Sequence, residues 1–162
     1  MGLDMYLHAD FYVGGWEHTK EDEKELYNNI LSKLELSDFR CEDSPHLTVS
    51  LCVAYWRKAN QIHNWFVETI QKGKDECQKT YVSRKNLEEL VELCESVLSY
   101  RGKEKEKEVA SELLPPQKGF FFGSTEIDDY YWQDLEHTVD SIEAVLNNKK
   151  FDKAYFYYSS SW

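Results

Sequence analysis

Residues 55–66 of this 162-residue chain read Tyr55-Trp56-Arg57-Lys58-Ala59-Asn60-Gln61-Ile62-His63-Asn64-Trp65-Phe66. With their neighbours they predict a helix over about residues 54–71, closed by Gly73. Its apolar arc would consist of Trp56, Ala59, Ile62, His63, Phe66, Val67 and Ile70, and its opposite face of Arg57, Asn60, Gln61, Asn64, Glu68 and Gln71. A solvated face usually carries Lys and Glu, whereas Asn is a poorer helix former that is retained for specific hydrogen bonds. The amide-rich face beside Arg57 therefore predicts a binding site, and a polar helix packed under a loop is the alternative.

Alternating residues predict strands at both ends of the chain. Leu3, Met5 and Leu7 alternate with polar or aromatic neighbours, which predicts a strand over about residues 3–13. The aromatic residues 154–158 predict a strand near the other end, and residues 46–53 predict a strand or an extended lead-in. The charged segment that runs up to Thr80 is expected to be a loop.

Helical spacing predicts three further helices. They are a short amphipathic helix after Thr19, a helix over about residues 84–100 capped by Ser83, and a long helix that begins after Gly123-Ser124-Thr125 and runs down to Leu146. Two terminal strands around a helical middle predict an α+β fold, in which a small antiparallel sheet pairs the N- and C-terminal strands under a layer of three main α-helices. We expect one domain, residues 1–162.

The charge of the chain excludes broad classes of partner. Its formal net charge is -11, from 30 acidic and 19 basic residues. Such a chain repels nucleic acids and anionic membranes before contact, so we expect no direct nucleic-acid or membrane partner. A small phosphorylated ligand in a locally basic pocket is compatible with this charge.

The cysteines and the N-terminal residues predict a cytoplasmic protein. Cys41, Cys52, Cys77 and Cys94 have no spacing suited to zinc, so free thiols in a reducing compartment are expected. The first residues lack the pattern of a secretory signal, and no apolar run is long enough to span a membrane. We expect no cofactor and no bound metal.

A second informative stretch covers residues 119–132. Thr125 and Asp128 have the spacing of a capping box, and the amides that open the helix there could hold a phosphate. Self-capping is the alternative, because Glu126, Asp128 and Asp129 already place carboxylates in the first turn. Asp128 falls on the apolar side of this helix, which suggests Arg57 or His63 as a buried partner.

These patterns give nine candidate ligand-binding residues and no predicted catalytic residue. The candidates are Trp56, Arg57, Asn60, His63, Asn64, Ser124, Thr125, Glu126 and Trp132. His63 lies in an apolar arc, where a histidine is more often a hydrogen-bonded core residue. The acidic residues 126, 128 and 129 with His63 would suit acid–base chemistry, but their spacing is not diagnostic of an enzyme.

Trp65 predicts a homo-oligomer. On the predicted helix it lies about 180° from Trp56, which would expose an indole ring beside Lys58 and Thr69. Burying such a ring against a second copy of the chain is more favourable than leaving it in water, and a dimer is the simplest arrangement that does so.

The chain also resembles a family of small proteins encoded by bacteriophages, prophages and bacteria. The resemblance rests on Met1-Gly2-Leu3-Asp4-Met5-Tyr6-Leu7, on residues 55–66, on residues 119–126 with Tyr131-Trp132-Gln133-Asp134-Leu135, and on residues 157–162. It spans nearly the whole sequence and implies a phage-type accessory protein. The family brings no catalytic residues to carry over.

Three functions are compatible with these features. The first is a protein that binds and sequesters a small anionic nucleotide-derived ligand, such as an immune signal, and so counters host defence. Arg57, Asn60, Asn64 and the neighbouring Trp residues would supply its phosphate, base-edge and stacking contacts. The alternatives are an acidic protein inhibitor that mimics DNA and an enzyme that acts on a nucleotide or sugar phosphate.

Overall fold

A four-stranded antiparallel sheet joins the two ends of the chain. The computed structural model describes residues 2–162. The strands are β1 (Asp4–Gly14), β2 (His46–Arg57), β3 (Thr80–Val82) and β4 (Tyr155–Ser161), in the order β2-β1-β4-β3. Strands β3 and β4 are antiparallel, with Tyr81 opposite Tyr157. The predicted neighbourhood of the N- and C-terminal strands is confirmed.

Five α-helices accompany the sheet. They are α1 (Glu21–Lys33), α2 (Asn60–Trp65), α3 (Arg84–Leu98), α4 (Glu106–Leu113) and α5 (Asp129–Leu146). A π-helical turn, Phe66–Ile70, continues α2, and two 3₁₀ turns cover Ser37–Phe39 and Lys149–Phe151. The α+β class is thus confirmed. No helix within residues 2–162 combines the length and apolarity that a membrane crossing requires.

The predicted helix over residues 54–71 is wrong in its first third. Residues up to Arg57 continue strand β2, and the helix begins only at Asn60. Lys58 separates the two elements with a left-handed backbone, at a φ of 63°. Trp56 is therefore a buried strand residue, whose indole Nε1 donates to Thr138 Oγ1 at 2.9 Å. Since Trp56 and Trp65 do not share a helix, the geometric argument for a dimer falls away and the oligomer stays a prediction.

The sequence does not predict strand β3, and only its first residue, Thr80, falls within the expected loop. Its three residues are too few to show a period of two, which explains why the sequence pattern does not reveal it. The strand is fixed by tertiary contact instead, because Val82 is buried and lies opposite Phe156 of β4.

The chain divides into two compact units, which are described separately below. One consists of Met1–Ala9 with Cys52–Trp162, and the other is Asp10–Leu51. The single domain expected for residues 1–162 stays a prediction.

The larger unit has the helix pair α3 and α5 in its core. The two helices pack along each other through apolar stripes at helical spacing, which include Leu87, Leu90, Leu135 and Ile142, all fully buried. Strand β1 adds Met5 and Leu7, the residue that precedes it adds Leu3, and β4 adds Phe156 and Tyr158.

The smaller unit contains the outer part of the β1–β2 pair and helix α1. Tyr27 of α1 is buried, and a Cβ at Gly15 would lie 2.6 Å from its ring, so this close approach requires glycine. The Trp16 ring stacks on His46, at 5.8 Å between ring centroids. Ser50 donates a hydrogen bond of 2.5 Å to Asp10.

Replacing the cap of α3 tests this description of the larger unit. Ser83 accepts from the Asn86 amide at 3.1 Å, and the Asn86 side chain accepts from the Ser83 amide, which completes a capping box. Ser83→Ala leaves that amide without its acceptor, so we expect the free energy of unfolding to fall by about 1 kcal/mol. Urea denaturation measures the loss. Ser83→Asp keeps an acceptor and should stay close to the wild type, whereas equal losses in both variants would contradict the capping role.

Candidate functional site

A cavity of about 370 Å³ lies where β2 ends and α2 begins, within the larger unit. We call it the main cavity. Its walls come from three stretches that are distant in sequence. They comprise Arg57, Lys58, Asn60, Gln61, Gly123, Ser124, Glu126, Asp128, Tyr130, Tyr131 and Asp134. Four of the predicted ligand-binding residues line it: Arg57, Asn60, Ser124 and Glu126.

Arg57 and Lys58 give one part of the main cavity a positive charge. Both side chains are exposed, and neither forms an ion pair with a carboxylate of residues 2–162. Lys58 is held in a left-handed conformation that costs a lysine on the order of 1 kcal/mol. Gly123, at a φ of 90°, lies against it, and a Cβ there would lie 3.1 Å from the Lys58 Cβ. The fold thus places two adjacent cations at the cavity with no carboxylate partner among the described residues.

Asn60, at the start of α2, fixes another part of the cavity wall. Its side chain is 1 % exposed and donates through Nδ2 to the carbonyl oxygens of Phe122, at 3.0 Å, and Ser124, at 2.7 Å. These two bonds determine which end of the amide is nitrogen. The opposite atom, Oδ1, is buried and has no hydrogen-bond partner within residues 2–162. A buried acceptor without a donor costs free energy, so Asn60 positions the loop at a cost that no hydrogen bond of Oδ1 within residues 2–162 offsets.

Gln61 and Asp134 form a second polar group in the same wall. Gln61 Nε2 donates to Asp134 Oδ2 at 3.2 Å and to the Tyr131 carbonyl at 3.4 Å. Burial raises the pKa of Asp134 to about 6, while the Gln61 hydrogen bond and His137 partly offset that rise. Sequence reasoning missed Lys58 and Asp134 as site residues. The only sequence feature that indicates Asp134 is its position three residues after Tyr131, which places both residues on the same face of the predicted helix.

The start of α5 differs from the predicted capping box. Asp128, not Thr125, is the N-cap, and its carboxylate accepts from the amides of Tyr130, at 3.0 Å, and Tyr131, at 3.2 Å. Asp128 is exposed, so its predicted burial against Arg57 or His63 is wrong. The helix begins after residues 123–126, whose amides were expected to hold a phosphate, and the amides of Tyr130 and Tyr131 in its first turn are already bonded. Ser124 Oγ likewise accepts a hydrogen bond from the Glu126 amide, at 3.0 Å.

Four other predicted site residues lie outside the lining of the main cavity. Trp56 and Trp132 are both buried, and the Arg101 guanidinium lies 5.9 Å from the Trp132 ring. Asn64 is half-buried and donates to the Pro115 carbonyl at 3.1 Å, and Thr125 is also half-buried. The aromatic ring that is accessible at the cavity is that of Tyr130, which is 75 % exposed.

His63, the ninth candidate, belongs to a separate buried network. Its Nδ1 lies 2.6 Å from the Tyr158 hydroxyl and its Nε2 lies 3.0 Å from Asp75 Oδ2. Burial lowers the pKa of His63, and Asp75 works against that shift. Trp162 Nε1 donates to the other Asp75 oxygen at 3.1 Å, and Phe66 stacks on Tyr158 at 3.9 Å. The network ties α2 to β4 in the core, which is the alternative that the sequence left open for this histidine.

Comparison with known proteins does not add to these residues. The chain matches no protein family, no curated protein and no solved structure. Within residues 2–162, no group of three or more His, Cys, Asp or Glu side chains is arranged to hold a metal ion.

The buried network predicts a difference between two adjacent tyrosines. Tyr158→Phe keeps the ring that stacks on Phe66 but leaves His63 Nδ1 without its partner in the core. We expect the free energy of unfolding to fall by about 1–3 kcal/mol, the cost of an unpaired buried polar group. Urea denaturation measures it. Tyr157→Phe is the matched control, because Tyr157 is half-buried on the neighbouring position. Equal stabilities of the two variants would contradict the structural role of His63.

Asp134 predicts a pH-dependent contribution to stability. Its pKa is about 6 in the folded protein, against 3.8 for an unperturbed aspartate. The folded state therefore binds this proton more tightly, and the stabilisation is fully present below pH 4 and lost as the pH rises through 6. Asp134→Asn removes the titration. We expect the variant to gain on the order of 1–3 kcal/mol relative to the wild type between about pH 4 and pH 8, less than full linkage because the carboxyl is partly hydrated.

Denaturation curves at several pH values measure this difference. His63 titrates with the opposite sign, but it is present in both proteins and cancels in the comparison. A difference between variant and wild type that does not vary with pH would refute the raised pKa of Asp134.

Proposed function

We propose that this chain binds a small anionic nucleotide-derived ligand in the main cavity and sequesters it, as a phage-type accessory protein that counters host defence. One observation carries the proposal. Arg57 and Lys58 are adjacent at the cavity and lack ion pairs within residues 2–162, although the chain holds 30 acidic residues against 19 basic ones.

The unpaired cations support an anionic ligand. Some basic residues elsewhere on the surface meet acidic neighbours, as Arg101 meets Glu136 at 2.7 Å and Lys85 meets Glu89 at 3.3 Å, whereas the two adjacent cations at the cavity meet none within residues 2–162. A guanidinium matches phosphate with two parallel hydrogen bonds, and a lysine adds a mobile point charge. Because the chain as a whole repels anions, affinity must come from these local contacts.

The remaining lining supports a ligand that also carries a ring with polar edges. Tyr130 offers an accessible aromatic face, and Asn60, Gln61 and Asp134 offer hydrogen-bonding groups. The volume of about 370 Å³ is within the range of small-molecule sites. A phosphate, a planar ring and donors on that ring are combined in a nucleotide.

The resemblance to phage-encoded proteins supports sequestration as the purpose of this binding. A protein that holds a signalling nucleotide unchanged lowers its free concentration by mass action. We place this activity in the host cytoplasm and in a homo-oligomer, with no cofactor. The location and the oligomer are parts of the proposal.

An acidic inhibitor that replaces DNA is the second candidate. It is favoured by a groove of about 280 Å³ between α3 and α5, whose lining includes four glutamates. These are Glu88, Glu92, Glu95 and Glu143. Such a surface would attract a basic protein and would leave the main cavity without a role.

A ligand screen separates these functions. Thermal-shift measurements against cyclic nucleotides and ADP-ribose derivatives, followed by mass analysis of the recovered compound, should return an unchanged ligand if the protein sequesters it. A recovered product would indicate an enzyme, and the absence of any shift across the panel would contradict the nucleotide site and favour the acidic groove.

Arg57 is expected to contribute directly to affinity. Arg57→Ala should weaken binding of the nucleotide found in the screen by about 2 kcal/mol, or roughly thirtyfold, because it removes a charge-assisted contact to phosphate. Titration calorimetry measures the affinity. Arg57 is exposed, so the melting temperature should not change.

The matched control is Arg101→Ala, which removes the same charge outside the main cavity and should leave affinity unchanged. If Arg57→Ala binds normally but melts earlier, Arg57 has a structural role and the proposed site is wrong.

A further inference from the structure

The main cavity presents hydrogen-bond acceptors as well as cations. Asp134 accepts the bond from Gln61 through one oxygen, Oδ2, and a carboxylate with two oxygens has the capacity to accept further donors. Asn60 belongs to the same lining, and its Oδ1 is buried without a partner among the described residues. A ligand that completes this wall must therefore bring N–H or O–H donors.

Asp134 is the most constrained of the three carboxylates in the lining. Glu126 and Asp128 are exposed, and Asp128 is already used as the cap of α5. Asp134 is half-buried and is oriented by the Gln61 amide, which is itself buried and anchored on the Tyr131 carbonyl. A partly desolvated acceptor in a fixed orientation discriminates between ligands, whereas a mobile hydrated carboxylate does not.

Nucleobases differ in what they present to such an acceptor. The Watson–Crick edge of guanine carries two adjacent donors, N1–H and the N2 amino group, which match the two oxygens of one carboxylate or one oxygen and a neighbouring acceptor. Adenine places an acceptor, N1, beside its single amino group, so a carboxylate meets a lone pair. Xanthine carries a carbonyl oxygen where guanine has its amino group.

Resting on the nucleotide-binding function proposed above, we propose that the base held in the main cavity is guanine, with its N1–H and N2 donors directed to the carboxylate of Asp134. The anionic part of the same ligand then lies at Arg57 and Lys58. Gln61 is a positioning residue, because it acts through Asp134. The cavity accordingly separates a cationic part for phosphate from an acceptor part for the base.

The test uses four probes that share one ribose phosphate: the 5′-monophosphates of guanosine, inosine, xanthosine and adenosine. In the wild type, we expect the guanosine compound to bind tightest. Inosine lacks the N2 donor and should bind roughly tenfold more weakly, and xanthosine and adenosine more weakly still. Titration calorimetry on the full chain gives the four affinities.

Asp134→Asn supplies the decisive comparison. An amide has one acceptor and one donor, so it matches the N1–H and the 2-carbonyl of xanthine in place of the two donors of guanine. We expect the preference to invert, with xanthosine gaining at least roughly tenfold relative to guanosine. Glu126→Gln removes the same charge from the same cavity and should change all four affinities alike. Circular dichroism checks that both variants are folded.

The outcomes distinguish this inference from the function on which it rests. Equal affinities of the four compounds in the wild type, or an unchanged order in Asp134→Asn, would overturn guanine recognition while leaving a phosphate site at Arg57. No binding of any of the four, in a folded wild type, would overturn both. Inversion in Asp134→Asn but not in Glu126→Gln supports the inference.

Discussion

The Asn60 amide is the interaction on which the candidate site depends. Through two bonds from one nitrogen it joins the corner between β2 and α2 to the loop that carries Phe122 and Ser124, more than 60 positions later in the chain. Because the amide is buried, these bonds are protected from competition with water. They bring Gly123 against Lys58, so the left-handed backbone at Lys58, the glycine that accommodates it and the two exposed cations all follow from the same corner.

The separation of charges inside the main cavity says more about its ligand than the net charge of the protein does. The value of -11 excludes partners that act at long range, but it says nothing about a cavity where two exposed cations share the lining with a partly buried carboxylate. Over distances of a few ångströms in a partly desolvated site, local geometry decides which ligand is attracted. Under the proposed function, the acidic surface would repel large polyanions, whereas a small anionic ligand would reach Arg57 and Lys58.

The sequence predicts elements well where one periodicity has no competitor. Ser83 and the apolar stripe of α3 agree on one helix, and the aromatic run near the C-terminus forms β4 as expected. At residues 54–57 two periods compete. Ala54 and Trp56 are buried while Tyr55 and Arg57 are exposed, which is the alternation of a strand, yet Trp56 also fits the arc of the following helix. In the strand conformation, Trp56 donates a hydrogen bond to Thr138 of α5, and no local sequence pattern predicts this contact. The site shows the same limit: Arg57 and Asn60 are predictable from residue type, whereas Asp134 joins them only through the fold.

Three features that cost free energy adjoin the main cavity, and features of the same kinds occur elsewhere, such as the left-handed backbone at Cys77 and the buried Oε1 of Gln71, which has no partner among the described residues. A left-handed lysine, a buried Asn60 oxygen without a partner in residues 2–162 and a carboxyl whose pKa is raised by burial each cost free energy, and all three adjoin one cavity. The network of His63, Tyr158 and Asp75 shows the opposite pattern, because the polar groups there pair with one another in a closed core. Natural sequences are mostly self-consistent, and they depart from consistency mainly where a site needs it. The main cavity thus combines cations that are unpaired within the described part of the chain, a partly buried carboxyl and a strained backbone, and this combination supports the ligand-binding function proposed for it.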